Sequence, residues 1–329
     1  MPLKVGIPRA LLYYYYYPMW RVFFQELGAE VVVSQPSNKG LLSAGLKNAV
    51  DEVCLPVKLA YGHVLDLAGK SDLIFLPRIV SIGRREYICP KFLGFPDMIR
   101  CIKGIPKIID PSINLYKSRT GICRSVLEVG KLFSCSCSKI WLAFLRSVKV
   151  HNQYIKLLQM GLIPSEAMAI LEDRVEKLPV PEPEDSFKVA LIGHPYNIYD
   201  SFVSMNIIKR LRGMGASILT AEFLPDDTVK NSAFRCLPKK LFWTLGQRMA
   251  GAAFNYMEQP DVAGIVHVAA FGCGPDSMIG ELIERSAHIN GVPLLNITLD
   301  EHTGEAGLLT RMEAFMDMLR WRKAGAALI

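Results

Sequence analysis

The chain has 329 residues, half of them apolar and 21% charged, with 38 Lys and Arg against 31 Asp and Glu for a net charge of +7. That length suits two domains with a core each, and the balance excludes a disordered or fibrous chain. The basic residues are scattered, which excludes a nucleic-acid footprint, and the longest apolar runs, residues 140–145 and 265–271, fall far short of the roughly 18–20 residues that span a bilayer.

The opening Met1-Pro-Leu-Lys-Val-Gly-Ile lacks the pattern of a signal peptide, so a cytoplasmic protein with no membrane attachment is expected. Lys4-Val-Gly-Ile-Pro reads as a first strand, residues 15–27 as a helix and residues 31–34, after Gly28-Ala29, as a second strand. The tyrosine run Tyr13–Tyr17, beside Pro18 and Trp20, reads as a loop and helix start packed against a partner domain, ahead of the alternative of a ligand-stacking platform. Cys54-Leu-Pro-Val-Lys58 opens a helix that leads to a strand at 71–76, the chain reaches Cys89, and Gly104-Ile-Pro leads into a further strand. Residues 114–177, rich in Leu, Val, Lys and Glu, suit a helical connector, and Leu178-Pro-Val-Pro-Glu-Pro-Glu-Asp a stiff linker.

The second half repeats the order. A strand at Lys188-Val-Ala-Leu-Ile-Gly is followed by a helix over 201–214, by Gly215-Ala216 and by a strand over 217–220. Cys236-Leu-Pro-Lys-Lys240 then opens a helix, a strand over 260–268 runs towards Cys273, and Gly291-Val-Pro leads into the last strand. Cys89 follows Cys54 by 35 residues, and Cys273 follows Cys236 by 37. This recurrence predicts an α/β protein of two Rossmann-like or flavodoxin-like parallel-sheet domains derived from an internal repeat. They are expected at residues 1–112 and 186–329, with a helical connector and Pro-rich linker over 113–185.

Four of the eight cysteines, Cys54, Cys89, Cys236 and Cys273, are followed within two residues by proline. Proline is favoured in the first turn of a helix, so each pattern places a sulfur just before a helix N-terminus, where free N–H groups and the helix dipole stabilise a thiolate or a thiolate-ligated cluster. Zinc, an iron–sulfur cluster or no ligand at all are the alternatives; the absence of paired Cys-x-x-Cys knuckles turns the choice away from a zinc ribbon. Cys101, Cys123, Cys135 and Cys137 lack the proline, and core packing is expected of Cys135 and Cys137. A second constellation, Asp300-Glu301-His302-Thr303-Gly304-Glu305, follows an apolar strand; it reads as a polar site or as a helix start capped by Asp300 or Thr303. Lys58, one turn into the helix after Cys54, can offset cluster or phosphate charge or lie solvated, and His63 follows on the same helix.

The stretches Cys54-Leu-Pro-Val-Lys-Leu-Ala-Tyr-Gly-His63, Phe75-Leu-Pro-Arg-Ile-Val80, Cys89-Pro-Lys91, Phe271-Gly-Cys-Gly-Pro-Asp-Ser277 and Asp300-Glu-His-Thr-Gly-Glu-Ala-Gly307 resemble the acyl-CoA dehydratase activase-related family. That family is akin to the cluster-binding subunits of 2-hydroxyacyl-CoA dehydratases and to the double-cubane cluster proteins. The resemblance implies an oxygen-sensitive iron–sulfur cluster, of [4Fe-4S] or double-cubane type, held by Cys54, Cys89 and Cys273. Lys58, Gly272 and Gly274 would border it, and Glu301 or His302 would donate a proton. It further implies low-potential electrons from a separate ATP-dependent activase of the sugar kinase/Hsp70/actin type, used for a reductive or dehydration reaction, with a homologous subunit or a second copy of the chain as a further partner. Cys236 is nominated as a fourth ligand by the repeat and not by the resemblance. Four cysteines would suit a non-catalytic electron carrier in a larger complex; three would leave an iron open to substrate.

Overall fold

A computed structural model describes residues 1–116, 120–174, 186–237 and 239–326. The chain divides into two units, Met1–Lys177 with Leu241–Thr244, and Leu178–Lys240 with Leu245–Ile329. The Pro-rich linker expected at Leu178 lies outside the described residues.

In the first unit the elements are β1 (Lys4–Ile7), α1 (Tyr13–Glu26), β2 (Glu30–Val33), α2 (Lys39–Asn48), α3 (Leu55–Leu67), β3 (Leu73–Phe75), β4 (Arg78–Ser81), α4 (Pro90–Arg100), β5 (Lys107–Ile109) and β6 (Ser112–Asn114). Three helices follow, α5 (Thr120–Gly130), α6 (Cys137–Gln159) and α7 (Pro164–Leu171), so the helical segment expected as a connector belongs to this unit. The main sheet is parallel with strand order β2-β1-β3-β5, and β4 and β6 form a separate parallel pair. Val5, Ile7 and Ile74 are fully buried, as the central strands of a covered parallel sheet require.

The second unit holds β7 (Phe187–Gly193), α8 (Pro195–Ile198), α9 (Ile207–Gly213), β8 (Ala216–Thr220), a 3₁₀ turn (Ala221–Phe223), α10 (Asp226–Cys236), α11 (Thr244–Met257), β9 (Val262–Ala270), α12 (Gly274–Ile289), β10 (Leu294–Leu299) and α13 (Glu305–Ala326). Its parallel sheet runs β10-β9-β7-β8, which read from the other side is the order of the first unit: second strand, first, third, fourth. Val189, Ala190, Leu191 and Ile192 in β7 are all fully buried, the continuous apolar run of a central parallel strand. The α/β class and the Rossmann-like or flavodoxin-like parallel sheets expected from the sequence are present in both units. Among the described residues no helix is long and apolar enough to cross a membrane.

The repeat extends to helix packing. A Cβ on Gly62 of α3 would lie 2.0 Å from the Leu41 carbonyl oxygen of α2, and one on Gly45 of α2 would lie 2.0 Å from the Lys58 oxygen. In the second unit a Cβ on Gly251 of α11 would lie 2.1 Å from the Val229 oxygen of α10. Gly62 stands seven residues after the start of α3 and eleven before β3; Gly251 stands at the same two offsets from α11 and β9. Each half therefore crosses two helices at backbone contact through a glycine in register.

That register corrects two expectations. The residue of the second half that matches Cys54 is Trp243, and Cys236 does not open a helix: it is the last residue of α10. Asp226 and Asp227 in the first turn of α10 and Arg235 in its last suit the helix dipole, and Leu237, the residue before Pro238, is extended, as the clash with a following proline ring favours. The helix expected over 201–214 is also cut short, to α9. The Asp200 carboxylate accepts from the N–H groups of Phe202 (3.0 Å) and Val203 (3.1 Å), the Ser204 hydroxyl donates to the Asp200 carbonyl (2.7 Å), and the turn closes on Met205 and Asn206 at positive φ. Local side-chain bonds have displaced a helical turn.

The tyrosine run is the first turn of α1, as expected of a helix start, but it packs within its own unit. Tyr13, Tyr14 and Tyr17 are buried, Tyr13 stacks on Tyr17 at 4.5 Å, and the Tyr154 hydroxyl of α6 donates to the Tyr14 carbonyl at 2.6 Å. Burial pushes the Tyr17 phenol up to about 12, against the ordinary 10. Cys135 and Cys137, expected in a core, are exposed: Ser136 between them caps α6 through Lys139 N–H, which leaves its neighbours at the rim of the helix start.

Candidate functional site

Three cysteines occupy the N-cap of a helix with proline in its first turn: Cys54 before α3, Cys89 before α4 and Cys273 before α12. Each has non-helical backbone there, with ψ of 154°, 136° and 103°. The free N–H groups of such a start carry partial positive charge, so an anionic sulfur is favoured.

In the first unit, Asp72 N–H donates to Lys4 O (2.9 Å) at the amino edge of the sheet, so α3, which leads into β3, starts at the carboxyl edge. Lys91, two residues after Cys89, donates from Nζ to Glu52 O (3.2 Å), two residues before Cys54, and Tyr61 of α3 meets Phe95 of α4 edge to face at 5.8 Å. The starts of α3 and α4 are thereby tied together. Lys58 lies in the first turn of α3, its N–H on Cys54 O at 3.1 Å. Tyr87, two residues before Cys89, stacks on Tyr116 (4.7 Å) and Phe242 (4.9 Å), and exchanges backbone bonds with Phe242 and Thr244, both 3.0 Å. The segment 241–244 thus braces the approach to Cys89. His63, further along α3, is occupied on both ring nitrogens by Ser34 Oγ (2.8 Å) and Ser37 Oγ (2.9 Å), and burial pushes it down to about 4; it holds β2 and its following loop in place.

In the second unit Cys273 follows β9 through Gly272, whose φ of +75° makes the turn, and its N–H returns to Ala270 O at 3.1 Å. Gly274 faces open space. Asp276, 1% exposed, accepts from Ala270 N–H through Oδ2 (3.2 Å) and meets His194 Nε2 through Oδ1 (2.8 Å). Burial alone would raise the Asp276 carboxyl; His194 and the Ala270 N–H outweigh it and hold the carboxyl below its ordinary range. One donor atom each from His194, Cys273 and Asp276 lie within 4.8 Å of one another. Beside them His267 Nε2 has no hydrogen-bond partner among the described residues. Asn296 Nδ2 donates to Glu284 (2.8 Å), so its Oδ1 faces the Nδ1–H of His267 (3.2 Å), and Nε2 keeps its lone pair. Burial holds the His267 pKa below the ordinary imidazole value.

His194 directly follows β7 and Cys273 follows β9, and these two strands are the neighbours at which the chain changes direction across the sheet, the crevice where α/β proteins bind ligands. The sequence reading missed His194, Asp276 and His267. Gly193-His194-Pro195 does echo Gly6-Ile7-Pro8 at the end of the matching strand, and Asp276 lies inside Phe271-Gly-Cys-Gly-Pro-Asp-Ser277.

The remaining candidates fall elsewhere. Glu301, half-buried, and His302, exposed, sit in the loop between β10 and α13, outside that donor set. There Asp300 Oδ1 accepts from His302 N–H and from the Thr303 hydroxyl, both 2.8 Å, while Thr303 Oγ1 accepts from Asp300 N–H (2.8 Å). Glu305 in the first turn of α13 pairs with Arg210. Cys236 is exposed at the C-terminal end of its helix, where carbonyls concentrate negative charge; burial, then Glu258, raises its thiol pKa. That end disfavours the thiolate the other three positions favour.

Parallel α/β units of one strand order, with cysteines at three helix starts and a buried His–Cys–Asp group at a switch point, define the class as a doubly wound parallel α/β protein. A family model described as CoA enzyme activase uncharacterised domain matches residues 4–224, and the chain belongs to that family. It is thus a member of an acyl-CoA dehydratase activase-related group, with a role linked to CoA-enzyme activation. The matched span contains Cys54, Cys89 and His194 and ends before Cys273. No curated protein matches the chain.

Proposed function

We propose that the chain is an iron–sulfur protein of the 2-hydroxyacyl-CoA dehydratase or double-cubane type that takes low-potential electrons from a separate ATP-dependent activase of the sugar kinase/Hsp70/actin type. The observation that carries this reading is the recurrence of one device, a cysteine at a helix N-cap with proline in the first turn, at Cys54, Cys89 and Cys273. A bound cluster supplies one-electron chemistry, for a reduction or a dehydration. The chain's own part is to present three thiolates, to offset their charge with three helix starts and with Lys58, to turn the chain into Cys273 at Gly272 and to leave room after it at Gly274. Glu301 and His302 are the proposed proton donors. The placement of Cys236 favours a three-thiolate set, with an iron open to substrate, over a closed electron carrier.

The test of electron acceptance is optical. Anaerobically prepared protein is mixed with a 2-hydroxyacyl-CoA dehydratase activase, a reductant and MgATP. Bleaching of the visible absorption that requires both activase and ATP is expected; bleaching indifferent to ATP, or none, retires the activase as electron donor.

A further inference from the structure

We propose that the second unit binds a single divalent transition-metal ion of its own through Cys273 Sγ, the His194 imidazole and the Asp276 carboxylate, with a fourth coordination position open. The three donor atoms lie within 4.8 Å of one another and the His194–Asp276 contact is 2.8 Å. An ion with bonds of about 2.0–2.3 Å needs donors roughly 3–4 Å apart, so small side-chain adjustments complete the site. One thiolate, one imidazole and one carboxylate suit zinc, ferrous iron or cobalt and not magnesium or calcium, which prefer oxygen alone.

A second, independent observation points to an occupant. His194 Nδ1, His267 Nε2 and both amide atoms of Asn197 are buried with no hydrogen-bond partner among the described residues, in residues at most 3% exposed. Buried polar atoms are nearly always satisfied, by protein, water or ion, and this concentration beside the switch point is unlike an ordinary dry core. The same three residue types could also make a nucleophilic thiol. Cys273, His194 and Asp276 are, however, 8%, 3% and 1% exposed, which suits a bare ion better than direct attack on an acyl or peptide substrate.

Cys273 Sγ serves the cluster or the ion and not both at once, so the ion is the occupant of the cluster-free chain; it requires neither Cys54 nor Cys89, and its test is built on that difference. The full-length Cys54→Ala/Cys89→Ala variant, kept free of oxygen and metal, is titrated with Co²⁺. One equivalent is expected to bind, with the intense visible bands of a four-coordinate ion and a thiolate-to-cobalt charge-transfer band. Cys273→Ser should remove the charge-transfer band, and His194→Ala or Asp276→Asn should weaken binding by about tenfold or more. Should His194→Ala fail to fold by circular dichroism, Cys273→Ser, which leaves the His194–Asp276 contact in place, carries the test. No charge-transfer band in the double variant, or one that survives Cys273→Ser, overturns the proposal. Stoichiometric cobalt binding in a chain that never takes up a cluster would remove the cluster and leave the ion.

Discussion

Gly62→Ala is expected to destabilise the first unit by about 3 kcal/mol or more, at the upper end of what overpacking costs. The added methyl would meet the Leu41 carbonyl oxygen at 2.0 Å, and that atom is backbone, so α2 and α3 must separate along their whole crossing. For a unit of this size the melting temperature should fall by about 6–12 °C. Gly251→Ala should do the same to the second unit, where the obstacle is the Val229 oxygen at 2.1 Å. Gly94, inside α4 with nothing within 4 Å of its would-be Cβ, is the control: Gly94→Ala should be neutral or gain up to about 1 kcal/mol from helix propensity. Thermal melts followed by circular dichroism decide it. A Gly62→Ala melt that overlays the parent would mean the two helices are not held at backbone contact.

Cys273→Ala should abolish the visible charge-transfer absorption of the chain after reconstitution with iron and sulfide, and Cys54→Ala and Cys89→Ala should abolish or convert it. Each removes a thiolate that water replaces poorly, from the end of a helix that favours the anion. Cys101→Ala should leave the spectrum intact, since Cys101 is exposed at the opposite, C-cap end of α4. Cys236→Ala is expected to leave it intact as well; loss there would restore the four-cysteine set and the carrier role. An unaltered spectrum in Cys273→Ala would end the proposed ligand set, because that residue carries the most specific motif.

Both sheets were legible because their central strands are short apolar runs bounded by glycine and proline: Val-Ala-Leu-Ile-Gly at β7 has no other stable place than the middle of a covered sheet. Repetition of the strand order was legible for the same reason. The spelling shared by Cys54-Leu-Pro and Cys236-Leu-Pro misled, since identical letters fell at opposite ends of helices; the glycines Gly62 and Gly251, fixed by backbone contact, hold the true register. The shortened α9 was lost to side-chain bonds of Asp200 that no periodicity reveals. His194 and Asp276 escaped because their meaning lies in a contact 82 residues apart in sequence, and a lone histidine after a strand carries no signal of that partner.

Iron and acid-labile sulfide, counted per chain on protein purified wholly without oxygen, test the central claim most directly. The account predicts a brown protein with iron and sulfide in near-equal amounts, at about four of each or a multiple of that per chain, as cubane-type clusters require. A colourless protein without sulfide, before and after anaerobic reconstitution, would contradict it.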